Sequence, residues 1–182
     1  MRVPATGSGR FVRAETGPGV AGTRGRLVRY DVRVERGLRL DVDAQARFIQ
    51  GVLADVRSWQ GSGRWRFALV GSAAKADVHV FIATPGTTDR MCAPLRTFGE
   101  VSCQTDNRVV LNAKRWIRGA DTHGRDLVGY RTYLVNHEFG HYLGYGHVGC
   151  PAPGRRAPVM MQQTKGLKGC RANRWRAPGR RG

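Results

Sequence analysis

Three histidines, one glutamate and a well-placed glycine fall within eleven consecutive residues, HEFGHYLGYGH, from His137 to His147. If the stretch opens as a helix, His137 and His141 stand four residues apart and project from one face, so both rings can reach one cation. Glu138 is then rotated by about 100° from His137, beside that cation, where its carboxylate can take a proton from water. Gly144 suits the left-handed residue that ends a helix, and Gly146 gives the chain further freedom to bring His147 back as a third ligand. Three neutral imidazoles at roughly 2.0–2.1 Å leave a fourth tetrahedral position for water, the pattern of a catalytic zinc site rather than a closed structural one. Glu138 is the only acidic residue between Leu127 and Gly182, which leaves it as the one base at hand.

A lone HxxxH pair on a helix is more often two satisfied polar residues than a metal site. Adding Glu138, Gly144 and His147 at their spacings reverses that balance. Cys150, three residues after His147, is a rival ligand, but a fourth protein ligand would block the water position. His79 sits in strand alternation and reads as structural. His123, in a Gly-rich loop, has no assigned role.

The elements that must hold this site can be read from periodicity. Leu127, Val128, Tyr130, Leu134, Val135 and Leu143 suit a buried helix ending near Tyr142 or Leu143. Upstream, Val28, Tyr30, Val32 and Val34 alternate with Arg29, Asp31, Arg33 and Glu35, a half-buried strand. Asp43 is placed to cap a helix whose apolar face is Phe48, Ile49, Val52, Leu53, Val56 and Trp59. Strands follow near Trp65–Val70 and Val78–Ala83, then an edge strand at Val101–Gln104 and a central one at Arg108–Asn112. The fold class expected is α+β, with a mixed, twisted sheet of about five strands, the site-bearing helix and a backing helix.

Length allows one domain with a proper core, and an apolar content of 41% argues against global disorder. Residues 1–26, rich in Gly, Pro and Arg, read as a flexible basic tether; 27–175 hold the domain; 176–182 form a basic tail. The formal charge of +18 reads first as a solvated basic surface. It also allows affinity for anionic partners: cell-wall polymers, acidic membrane surfaces or acidic substrates. Nucleic acid fits the charge but finds no binding motif or interleaved aromatic pattern.

Four cysteines allow three pairings. Sequential pairing, Cys92–Cys103 and Cys150–Cys170, is favoured because each pair brackets a Gly/Pro-rich loop, and it points to an oxidising, extracytoplasmic compartment. MRVPATGSGR lacks the apolar core of a signal peptide, so that placement expects an export or anchor segment missing from this chain.

The extended motif resembles the signature of the metzincin clan of zinc peptidases. NHEFGHYLGYGH, APVMMQQTKGL and the two cysteine pairs resemble, more closely, an actinobacterial domain family of unknown function grouped with the metzincins, over about Leu27 to Trp175. The resemblance implies a zincin-like fold and a methionine in a tight turn beneath the metal. Met160 is the match for that residue and Met161 the reserve. Several metzincins carry a Tyr two residues after that methionine; Gln162 stands there in this chain, which leaves the transition-state stabiliser open.

Together these observations lead to a zinc-dependent metalloendopeptidase acting on protein or peptide substrates. His137, His141 and His147 hold Zn2+ and Glu138 is the general base. The alternative is a non-catalytic, zinc-stabilised cell-wall or surface-binding module, which would have no need of a carboxylate at position 138.

Overall fold

The computed structural model describes residues 2–17 and 19–176. In chain order the elements are β1 (Phe11–Arg13), β2 (Arg26–Glu35), α1 (Val42–Ala54), β3 (Trp65–Leu69), β4 (Val78–Ala83), α2 (Pro85–Cys92), β5 (Cys103–Thr105), β6 (Arg108–Asn112), α3 (Ala113–Arg118) and α4 (Leu127–Tyr142). The strands form one mixed sheet in the order β1-β2-β4-β6-β5, with β3 also on β2. Tyr30 pairs with Leu69 on one side and Val78 on the other, while Arg33 pairs with Arg13 and Phe81. β1 and β3 therefore share one edge of β2 in tandem. β2, β3, β4 and β6 run parallel, and β1 and β5 are antiparallel to their neighbours. The class is α+β, as expected, with six strands among the described residues instead of about five.

The additional strand corrects the reading of residues 1–26 as a tether. Phe11–Arg13 pairs with Arg33–Glu35, Ala14 is buried, and Ala21 bridges to Phe67. The cause lies on the second face of the sheet. Glu35 is fully buried there, and a buried carboxylate needs donors. It accepts hydrogen bonds from Gly9 N, Thr84 N and Thr87 Oγ1, each at 2.7 Å. That demand draws the Gly-rich N-terminal stretch onto the sheet. Glu35→Ala should therefore destabilise the chain by about 3 kcal/mol, the penalty of orphaning buried donors, as read by the midpoint of urea unfolding; an unchanged midpoint would show that the clasp is incidental. The 176–182 tail lies, apart from Arg176, outside the described residues.

A second correction concerns α1. Its cap is Asp41, whose carboxylate accepts from Ala44 N at 2.6 Å. Asp43 sits in the first turn and accepts from Glu15 N at 3.0 Å instead. The helix stops at Ala54, so Val56 lies beyond it and is 75% exposed. Trp59 is also past the helix but buried, its indole N–H donating to Asn136 O at 2.8 Å.

The main core fills the space between the sheet and helices α1 and α4. Val28, Tyr30, Val32, Val34, Val80, Ile82 and Leu111 meet Ile49 and Leu53 from α1 and Leu134 and Phe139 from α4. Phe139 packs edge-on against both Tyr30 and Phe67, which centres α4 over the sheet. The opposite face carries a smaller cluster, Phe81, Ala83, Cys92, Cys103 and Val110. Asp31, expected to face solvent, is fully buried on that side, between Arg33 Nη2 at 2.7 Å and His79 Nδ1 at 2.9 Å. Among the described residues no helix is long and apolar enough to cross a membrane.

Candidate metal centre

The helix α4 begins at Asp126, whose side chain accepts from Gly129 N at 2.8 Å, and is buried along most of its length. Its end follows the Schellman pattern: Gly144 has φ 92°, its N–H donates to His141 O, and Tyr145 N–H donates to Gly140 O, both at 2.9 Å. That turn reverses the chain so that His147 comes back over the face carrying His137 and His141.

The three imidazoles converge through their Nε2 atoms. His137 Nε2 is 3.2 Å from both His141 Nε2 and His147 Nε2, and the last two are 2.9 Å apart. A tetrahedral ion with bonds of 2.0–2.1 Å has ligand–ligand edges of roughly 3.3 Å, so the triangle is close to that size. The opposite ring nitrogens settle the tautomers. His137 Nδ1 lies 2.8 Å from Val159 O and His141 Nδ1 2.9 Å from Tyr145 O. A carbonyl only accepts, so both Nδ1 atoms carry hydrogen and both Nε2 atoms present lone pairs. Those two lone pairs face each other without a proton between them, and a single N–H on His147 could serve only one. Protonation is disfavoured as well: burial pushes His137 down to about 3 and lowers His141 and His147. The donor set fits a metal ion, and the triad is positioned to hold one.

Glu138 lies beside the triad, 4% exposed. Burial lifts its carboxyl to about 8, and no cationic side chain among the described residues pairs with it. A dication on the three imidazoles would favour the ionised form. These residues line a cleft of ≈ 310 Å³ together with Leu95–Thr97, Val101–Gln104, Tyr133, Gln162, Thr164 and Lys165. β5 forms one wall, as the last strand of the sheet.

The turn after Pro158 packs against α4 at His137, whose Nδ1 meets Val159 O. Met161 N donates to Pro158 O at 3.0 Å, and the turn is pinned from α4 by the Tyr133 hydroxyl, which donates to Met161 O at 3.0 Å and accepts from Gln163 N at 2.9 Å. Met160 belongs to the main core, whereas Met161 belongs to a separate cluster with Ala157 and Cys170. The decisive contact is one the motif gives no hint of. A Cβ at Gly140 would come within 2.2 Å of Met160 Sδ and 2.7 Å of Trp59 Cζ2, so Met160 lies directly against the helix between His137 and His141. Gly140→Ala should cost about 2 kcal/mol by overpacking and loosen metal binding with it; a thermal midpoint equal to that of the parent would contradict this contact.

The cysteines pair as Cys92–Cys103 and Cys150–Cys170, with no free cysteine. The second bond takes Cys150 out of the ligand set and ties the segment after His147 to the loop beyond Met160. The first anchors β5 to α2. Gln162 lines the cleft, as do Thr164, held at 3.0 Å by the Tyr130 hydroxyl, and Lys165. His79 joins Asp31 and Arg33 away from the triad. His123 packs against Tyr130 and Tyr133.

The family model for proteins of unknown function designated DUF3152 matches residues 1–177. The chain belongs to DUF3152. No curated protein and no solved structure is a significant match. In this DUF3152 chain the match includes the N-terminal stretch that Glu35 clasps, in keeping with its place in the folded unit. Sequence reasoning missed Gly140, Tyr133, Thr164 and the two carbonyls that fix the imidazole tautomers. Only Tyr133 left a trace, four residues before His137 and so on the same helical face.

Proposed function

We propose that this chain is a zinc-dependent metalloendopeptidase of zincin-like, metzincin-type fold. The observation that carries the reading is the convergence of three imidazole Nε2 atoms, those of His137 and His141 presenting lone pairs, beside a buried Glu138 that has no cationic partner among the described residues, in an open cleft. A site that only stabilised the fold would have no use for a carboxylate there, since burying it without a partner is costly.

His137, His141 and His147 would hold the zinc, and Met160 supports the helix beneath them. When bound, zinc acidifies water and polarises a carbonyl. Glu138 accepts the proton from the attacking water at a carboxylate oxygen as the water oxygen bonds to the scissile carbonyl carbon. As the C–N bond breaks, Glu138 delivers that proton to the leaving nitrogen. The outer edge of β5 suits an extended substrate, whose backbone can pair with it. The two disulfides favour an oxidising, extracytoplasmic setting.

The test is zinc analysis of the purified chain combined with a peptide-cleavage screen. Bound zinc without hydrolysis of any peptide would leave the alternative, a zinc-stabilised binding module for wall polymers or acidic surfaces.

A further inference from the structure

The cleft continues past the triad. A second hollow of ≈ 390 Å³ shares His147, Gln162 and Lys165 with the first and is lined further by Val148, Gly149, Gly166 and Lys168. Lys165 and Lys168 are both exposed, and among the described residues no carboxylate lies within 4.0 Å of either. The chain has only 4 Lys against 27 Arg, yet two of those lysines stand three residues apart on this wall. Lys168 also holds a left-handed backbone, φ 47°, a conformation that side-chain-bearing residues rarely adopt and that clusters at functional positions. Cys150–Cys170 fixes the loop on both sides of the groove. Arg96, exposed and equally without a carboxylate partner, adds positive charge to the first hollow. Among the described residues the only carboxylate lining either hollow is Glu138.

We infer that the groove running from His147 along Lys165 and Lys168 binds an acidic stretch of an extended polypeptide, making acidic segments the preferred substrates. This rests on the peptidase reading. A polypeptide is favoured over a lipid surface because the same cleft offers the outer edge of β5, unpaired among the described residues, which recognises backbone amides. The charge in the groove lies where it can select between peptides, through Coulomb attraction that an open, wet groove weakens but does not abolish.

The test separates groove charge from overall charge. Zinc-loaded chain carrying Glu138→Ala binds fluorescent peptides matched in length and differing only in acidic, amide or basic side chains, followed by anisotropy. The acidic peptide should bind tightest, and Lys165→Glu with Lys168→Glu should weaken it by about tenfold while improving the basic peptide. Arg39→Glu with Arg47→Glu, an exposed pair outside both hollows, should change either affinity by less than about twofold, because exposed charges that do not line the groove act on the peptide only through screened water. Equal losses from the two double substitutions would overturn the inference. So would lysine-dependent binding to phosphatidylglycerol vesicles without selection among peptides, which would make a membrane surface the partner. A milder pair, Lys165→Gln with Lys168→Gln, carries the same test if the reversed charges unfold the loop. The parent chain then distinguishes the two levels: acid-selective binding without cleavage defeats the peptidase reading alone, and cleavage without acid preference defeats the groove alone.

Discussion

Replacing Glu138 with alanine is expected to lower kcat for peptide hydrolysis by about 10²–10⁴-fold, the usual contribution of a positioned general base, with zinc occupancy unchanged. The expectation rests on isolation. Glu138 is the only acidic residue between Leu127 and the end of the chain, and among the described residues no other carboxylate lines the cleft, so no described neighbour is placed to take over its proton. Among the described residues the side chain makes no ion pair whose loss would unfold the helix, and removing a buried carboxylate relieves a desolvation penalty. Stability should therefore hold or rise while turnover falls. Steady-state kinetics and a melting curve on one preparation separate these effects. Equal turnover in the variant and the parent would remove Glu138 from the chemistry.

His147→Ala should weaken zinc binding by more than about 100-fold. Loss of a partner that merely orients a ligand already costs about 10–100-fold, and removing a ligand costs more. This histidine is the most exposed of the three and arrives on a loop, so its replacement leaves α4 intact. The same change should erase much of the stabilisation by metal. Zinc at a thousand times its dissociation constant contributes about 4 kcal/mol, or roughly 10 °C in Tm for a chain of this size, and chelation of the parent should reproduce that fall. Undiminished zinc stoichiometry in the variant would take His147 out of the ligand set.

Much of the site was legible because its spacing is local. His137, His141 and Glu138 belong to one helix whose periodicity and terminal Gly144 mark its bounds, and strands such as Val78–Ala83 and Arg108–Asn112 announce themselves by apolar content. Features that depend on distant partners were hidden. Asp31 and Glu35 alternate like solvent-facing residues, yet His79 and Arg33 cover the first, and Gly9, Thr84 and Thr87 satisfy the second. Asp41 and Asp43 are equally able to cap a helix, and the choice fell to a tertiary hydrogen bond from Glu15. Helix α2, PGTTDRMC, is short and carries no apolar stripe to reveal it. Gly140 is unremarked in sequence because the sulfur that excludes a side chain there belongs to Met160, twenty residues on.

The most direct measurement is mass-spectrometric cleavage of a proteome-derived peptide library by the zinc-loaded chain, run beside the Glu138→Ala chain at equal zinc occupancy. The expected result is a defined set of internal cleavages from the parent that chelation abolishes and the variant lacks. A parent that holds zinc on the triad yet leaves every peptide intact, or a variant that cuts as the parent does, would contradict a catalytic role for this site.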